Sequence, residues 1–225
     1  MQSTLKTPSM NQTQEHLEAL QDIRSMMKKS TRFLSLSGLS GVFAGIYAIA
    51  GAIVANYIAH SFSDDLNYYD GTLVFEKYMD SIHKIYTYMF IDALLVLFLS
   101  IGTGFIFSYR KAKKTGQKLF DHTALRLFIN LIIPIGAGGV LCLILLNHGY
   151  IGLIAPVMLL FYGMALLNAS KYTLDDIRYL GICEIVLGLL NAWLMGYGLW
   201  FWVIGFGVLH IVYGLVMWIK YEKGK

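Results

Sequence analysis

The chain has 225 residues, of which 56% are hydrophobic and 14% are charged. Soluble domains usually carry about 25% charged residues, so this composition excludes an ordinary soluble protein and favours a protein embedded in the lipid bilayer. The net charge is +4, but the basic residues flank apolar runs. That placement assigns them to membrane topology and excludes a nucleic-acid partner.

Residues 1–32 precede the first apolar run and are predicted to form a cytoplasmic tail and an amphipathic helix. Within 11–32, Leu17, Leu20 and Met27 recur on one helical face. Acidic residues lie early in this segment and basic residues lie late, an order that suits the helix macrodipole. A surface helix of this kind is a candidate site for a cytoplasmic protein partner.

Six apolar runs follow, and each is long enough to cross a hydrocarbon core of about 30 Å as a helix. Backbone groups find no water partners in lipid, so these runs must be helical. The runs are 33–59, 85–109, 127–146, 150–167, 179–195 and 199–219. They predict an all-α fold, a polytopic membrane bundle of about six transmembrane helices over 33–219, with a cytoplasmic tail at 220–225.

Lysine and arginine are distributed unequally between the two predicted sides of the membrane. With the N-terminus in the cytoplasm, sixteen of the 18 lie in inner segments, and only Lys77 and Lys84 lie outside. The positive-inside rule therefore predicts that both termini are cytoplasmic. The outer connection 60–84 is long and acidic, whereas the connections near 147–149 and 196–198 are predicted to be tight turns.

Ionisable residues inside the apolar runs are the candidate functional residues, because such groups cost several kcal/mol unless they are paired or protonated. Asp92, Asn191 and His210 are predicted nearer the middle of the membrane, where they form a candidate polar cluster. That cluster is either a hydrogen-bonded packing contact or a path for protons or ions. Arg126 and Glu184 are both predicted about one turn from the inner surface, as a candidate ion pair.

The first run contains Gly41-xxx-Gly45, a pattern typical of closely packed membrane helices. It favours packing inside the bundle, and the alternative is a homo-oligomer through Gly41 and Gly45. No spacing of histidines, cysteines or carboxylates indicates a metal site, and no signature indicates a cofactor or a catalytic constellation. The sequence therefore predicts no metal, no cofactor and no enzymatic activity.

The start of the chain resembles that of a group of bacterial polytopic inner-membrane proteins with no assigned activity. The stretches that carry the resemblance are 15–27, EHLEALQDIRSMM, and 30–48, STRFLSLSGLSGVFAGIYA. The resemblance implies a multi-pass protein of the bacterial inner membrane and adds no site residues.

The sequence predicts a small sensor, regulatory or scaffold protein as the first hypothesis, and a transporter as the alternative. The amphipathic helix favours a small sensor, regulatory or scaffold protein of the membrane. The buried ionisable residues Asp92, Glu184 and His210 favour a transporter of small solutes or ions.

Overall fold

The computed structural model describes residues 20, 33, 36–67, 74–116 and 121–223, and these residues form helices and turns without a strand. The predicted amphipathic helix and partner surface at 11–32 lie outside the described residues, Leu20 apart. The α-helices are α1 Gly38–Asn67, α2 Val74–Thr115, α3 His122–Asn147, α4 Ile154–Ala169, α5 Asp176–Trp193, α6 Gly198–Trp202 and α7 His210–Tyr221. The turns Ile151–Leu153 and Ser170–Tyr172 are 3₁₀-helices that flank α4, and Val203–Leu209 is a π-helix that joins α6 to α7.

Among the described residues, five helices are long and apolar enough to cross a membrane, which makes this a multi-pass membrane protein. They are Gly38–Ser61, Asp80–Thr115, His122–Asn147, Ile151–Tyr172 and Gly198–Tyr221. We refer to Gly198–Tyr221, which comprises α6, the π-helix and α7, as the terminal helix. The predicted fifth span corresponds to α5, which is shorter and less apolar because Asp176, Arg178 and Glu184 fall within its 18 residues.

The terminal helix lies at the centre of the bundle and packs antiparallel to α1 through glycines. A Cβ atom added at Gly45 would lie 2.5 Å from the carbonyl oxygen of Gly207, and one at Gly41 would lie 3.3 Å from Cα of Gly214. Small residues allow membrane helices to approach this closely. Gly41 and Gly45 therefore contact the terminal helix within the chain, as the first of the two sequence interpretations expects, and that contact occupies the face proposed for a second copy.

On the other side of the terminal helix, α4 and α5 form a second closely packed pair. A Cβ atom added at Gly163 would lie 2.6 Å from the carbonyl oxygen of Gly181. Helices α2 and α3 lie on the flanks, where α2 packs mainly on α1 and α3 packs mainly on α4. This order of helices leaves the inner faces of α4, α5 and the terminal helix to meet one another.

Two chain reversals confirm the predicted tight turns. Gly149 adopts a φ of 77° after α3, and Gly196 adopts a φ of 100° after α5. Positive φ values of this size favour glycine, because residues with a Cβ atom are strained there. The hairpins α3–α4 and α5–terminal helix therefore depend on glycines that the sequence already displays.

Candidate functional site

A polar centre lies where α4, α5 and the terminal helix meet. Tyr162, Glu184 and His210 each lie near the middle of their own helix, at Ile154–Ala169, Asp176–Trp193 and Gly198–Tyr221 respectively. Transport and coupling-ion sites in membrane proteins are typically found at this depth, near interrupted helices. We call Tyr162, Glu184 and His210 the polar centre.

The helix that carries His210 is irregular immediately before it. Val203–Leu209 forms a π-helix, and the glycines at 205 and 207 lie within it. π-Helical segments are rare and frequently occur at functional sites. The His210 side chain uses this irregularity, since its Nδ1 lies 3.0 Å from the carbonyl oxygen of Gly205.

The hydrogen bonds of His210 define its tautomer. A carbonyl oxygen only accepts, so Nδ1 carries the hydrogen that is donated to Gly205. In a neutral imidazole the other ring nitrogen is then an acceptor. Tyr162 therefore donates its hydroxyl hydrogen to His210 Nε2, over 2.7 Å. The ring is held from both sides in one orientation.

Glu184 is fully buried, with 0% of its surface exposed. Its Oε1 lies 3.6 Å from His210 Nδ1, which is longer than a hydrogen bond. Within the described part of the chain, neither carboxyl oxygen has a hydrogen-bond partner. Gly205 makes room for this carboxyl group, because a Cβ atom there would lie 2.6 Å from Oε2.

An unpaired, buried carboxyl group calls for a physical explanation. Buried polar groups are almost always hydrogen-bonded, and an ionised carboxylate without a partner is very costly away from water. The neutral acid costs less, and a carboxylate paired with a cation also costs less. These two lower-cost states are the ones in which the Glu184 carboxyl group either holds a proton or balances a positive charge.

A cluster of aromatic rings adjoins the polar centre along the terminal helix. The ring of Phe206 lies 5.1 Å from that of Tyr162, 4.6 Å from that of Trp202 and 6.0 Å from that of His210, measured between centroids. Phe206 follows Gly205 directly, and Gly205 contacts Glu184. Tyr162 and His210 therefore connect these rings to the polar centre.

Asn191 is a second fully buried polar residue on α5, with 0% of its surface exposed. It follows Glu184 by two helical turns, toward the end of the helix at Trp193. Neither atom of its amide has a hydrogen-bond partner among the described residues. Asn191 therefore extends the polar face of α5 beyond the centre.

The predicted cluster of Asp92, Asn191 and His210 is not assembled. Asp92 lies on α2 against α1, where a Cβ atom added at Gly51 would be 3.3 Å from its Oδ2. Among the residues described, no hydrogen bond or ion pair joins Asp92 to Asn191 or His210. The apolar runs do not indicate which side of the bundle a residue faces.

The predicted ion pair of Arg126 and Glu184 is also not formed. Arg126 is exposed at the start of α3, and its carbonyl oxygen accepts a hydrogen bond from Asn130 over 2.8 Å. Glu184 lies deeper than predicted, because α5 begins at Asp176 and not at Tyr179. Within the described residues, Glu184 lies in ion-pair range of His210, at 3.6 Å.

A second polar network, which sequence reasoning missed, joins the helix ends at the side rich in lysine. Glu222 accepts hydrogen bonds from the Gly38 amide at 2.7 Å, from the Ser37 hydroxyl at 3.1 Å and from Lys111 Nζ at 3.1 Å. Nearby, Asp176 accepts hydrogen bonds from Lys220 and from the Tyr221 hydroxyl. We call this set the end network.

Tyr162 is the residue of the polar centre that sequence reasoning missed. A tyrosine in an apolar run gives no charge signal, and its hydroxyl becomes informative only when a partner is known.

No group of three or more histidine, cysteine or acidic side chains lies close enough to hold a metal ion within the described ranges. Comparison with known protein families, curated proteins and solved structures finds no match to this chain.

Proposed function

We propose that this protein is a proton-linked transporter of a small solute or ion in the bacterial inner membrane. The observation that carries the proposal is the fully buried carboxyl group of Glu184, which has no hydrogen-bond partner among the described residues and lies beside His210 at a π-helical interruption of the terminal helix. Ionisable groups at such depth are functional candidates by default, because placing them inside the membrane is costly.

The proposed topology has six spans, with α5 as the fifth and with both termini in the cytoplasm. Sixteen of the 18 lysines and arginines then lie on the inner side. The end network supports this orientation, because Lys111 and Lys220 lie at the same end of the bundle. The resemblance to bacterial inner-membrane proteins is consistent with this location.

In the proposed cycle the Glu184 carboxyl group holds a proton in the closed state. It releases that proton to water when a positively charged solute reaches the site, and it takes a proton back when that solute leaves. His210, held by Tyr162 and Gly205, stays in a fixed orientation beside it. The π-helix supplies the segment that rearranges to open the site.

The test is proton flux in vesicles that contain the purified chain and a pH-sensitive dye. An imposed gradient of a transported solute should drive proton movement through the parent protein. Glu184→Gln, which keeps the shape but cannot release a proton, should reduce this flux by about 100-fold or more. Equal fluxes in the parent and in Glu184→Gln, with both proteins folded by gel filtration, would refute the proposal.

A second candidate function is sensing or regulation through the N-terminal segment. The segment before α1 is attached to the turn between α4 and α5, since the Phe33 amide donates to the Tyr172 carbonyl oxygen at 2.7 Å. The buried Thr173 hydroxyl also donates to the carbonyl oxygen of Phe33, at 2.8 Å. A partner bound at 11–32 would therefore act on the start of α5.

Deletion of residues 1–32 separates the two functions. A transporter retains its Glu184-dependent flux without this segment, whereas a regulatory protein loses a bound partner. Co-purification of a soluble protein with the full chain but not with the truncated chain, together with no flux in either, would favour regulation.

A further inference from the structure

The polar centre combines three features that rarely occur together in an apolar bundle. A fully buried carboxyl group lacks a hydrogen-bond partner within the described residues. The rings of Tyr162, Phe206 and Trp202 form a cluster next to His210, whose Nδ1 lies 3.6 Å from this carboxyl group. The segment that carries Phe206 is a π-helix with glycine on both sides of that residue.

A carboxylate and aromatic faces attract the same kind of ligand. The carboxylate supplies the balancing negative charge, and each ring presents the negative face of its quadrupole to a cation. Aromatic cages of this type recognise quaternary and methylated ammonium groups, whose weak hydration allows them to leave water.

Inorganic cations fit the centre less well. Hard metal ions require about six oxygen ligands, but the Gly205 carbonyl oxygen is already used by His210. Beside Gly205, the acceptors without a hydrogen-bond partner among the described residues are therefore the two oxygens of Glu184, which is too few for such an ion. Of the rings of Tyr162, Phe206 and Trp202, only that of Tyr162 carries an oxygen atom, so these rings offer faces to an organic cation and few oxygen ligands to a metal ion.

We infer that the polar centre binds a substituted ammonium cation, with its charge balanced by Glu184 and its alkyl groups packed on Phe206, Tyr162 and Trp202. This inference rests on the proposed transport function and names the substrate class. One positive charge is exchanged for another: the carboxylic proton leaves to water as the ammonium ion arrives. The Glu184 side chain is sealed in this structure, so entry requires movement of the π-helix.

The probe is choline, compared with its uncharged isostere 3,3-dimethylbutan-1-ol and with sodium at equal concentration. Calorimetry on the detergent-purified full chain should show that choline binds at least about tenfold tighter than the isostere and than sodium. Choline and its isostere differ only in charge, so that comparison isolates the effect of the positive charge. Runs in buffers with different ionisation heats should show release of about one proton per choline bound. Equal binding of choline and its isostere would overturn the inference.

Variants locate the binding to these residues. Phe206→Leu keeps the apolar volume but removes the π face, and should weaken choline binding by about 5- to 30-fold. Phe206→Tyr should restore it to near the parent value. The matched control is Phe107→Leu, which removes a stacked ring at the α1–α2 contact, where Phe107 lies 5.3 Å from Phe43. The same loss of choline binding in Phe107→Leu and Phe206→Leu would overturn the inference.

The two proposals fail in different ways. Glu184-dependent proton flux without choline binding would refute the substrate class and leave proton-linked transport standing. Choline binding that depends on Glu184 and Phe206, without any flux in vesicles, would refute transport and leave the ammonium site standing.

Discussion

Two glutamates in this protein occupy opposite environments. Glu222, in the end network, is 16% exposed at its side chain and accepts hydrogen bonds from an amide, a hydroxyl and an ammonium group. Glu184, in the polar centre, is 0% exposed and accepts none within the described residues. The residue with easier access to water is the one with the most partners.

These two environments indicate different roles for the two glutamates. Glu222 lies at the N-terminus of α1, where an anion satisfies a free amide and complements the helix dipole. Its contacts join the first helix to the end of the last, so its role is stabilising. Glu184 gains no comparable hydrogen bond from the described residues, and its cost to the fold is understandable if the protein uses the carboxyl group in its activity.

The largest expected effect on stability therefore belongs to Glu222. Glu222→Ala removes the cap of α1 and the charged hydrogen bond from Lys111, and should lower the free energy of unfolding by about 2 kcal/mol. Denaturant titration in detergent measures the loss. Glu222→Gln keeps an acceptor for the Gly38 amide, so it should lower the free energy of unfolding by only about half as much as Glu222→Ala. An unchanged unfolding midpoint in Glu222→Ala would show that the contacts of Glu222 do not stabilise the fold.

Two tyrosines sharpen the comparison, because each donates one hydroxyl hydrogen in a different region. Tyr162 donates to His210 and Tyr221 donates to Asp176, both over 2.7 Å. Replacing either by Phe should lower stability by about 1 kcal/mol. Only Tyr162→Phe should also reduce proton flux, by about tenfold, because the His210 ring loses its fixed orientation. A similar flux in the two variants would show that the hydroxyl of Tyr162 is merely structural.

A smaller effect on stability is expected at Glu184. Glu184→Gln keeps the shape of the side chain and breaks no hydrogen bond of the described residues, so the free energy of unfolding should change by less than about 0.5 kcal/mol. Adding Arg126→Gln should change stability additively, because the two side chains do not pair. A double-mutant cycle in detergent measures this, and a coupling energy above about 0.5 kcal/mol would contradict the structure.

The sequence predicts the helices and their order well, because long apolar runs and glycine turns are local signals. Gly149 and Gly196 end their hairpins as expected, and the last run matches the terminal helix closely. Helix ends are predicted less well. The charged residues Asp176 and Arg178 hid the true start of α5, which placed Glu184 too near the surface.

The candidate site could be predicted only in part, for a geometric reason. Glu184, Asn191 and His210 are all recognisable as costly polar residues in apolar runs. Which of them meet depends on the rotation and the neighbours of each helix, and those depend on contacts such as that of Gly45 with Gly207. The same limitation hid Glu222, whose partners are separated from it by more than 100 residues.

The smallest expected effect is that of Asp92, the third carboxyl group of the comparison. Asp92 lies between α1 and α2 beside Gly51, on the flank of the bundle and apart from the polar centre. Asp92→Asn keeps the shape and a hydrogen-bonding amide, so proton flux should stay within about twofold of the parent while Glu184→Gln loses it. Parallel flux measurements in vesicles, with equal amounts of folded protein, test this. A loss of flux in Asp92→Asn as large as that in Glu184→Gln would contradict this prediction. It would show that protons also pass the α1–α2 contact and that the polar centre is one of several groups on the proton path.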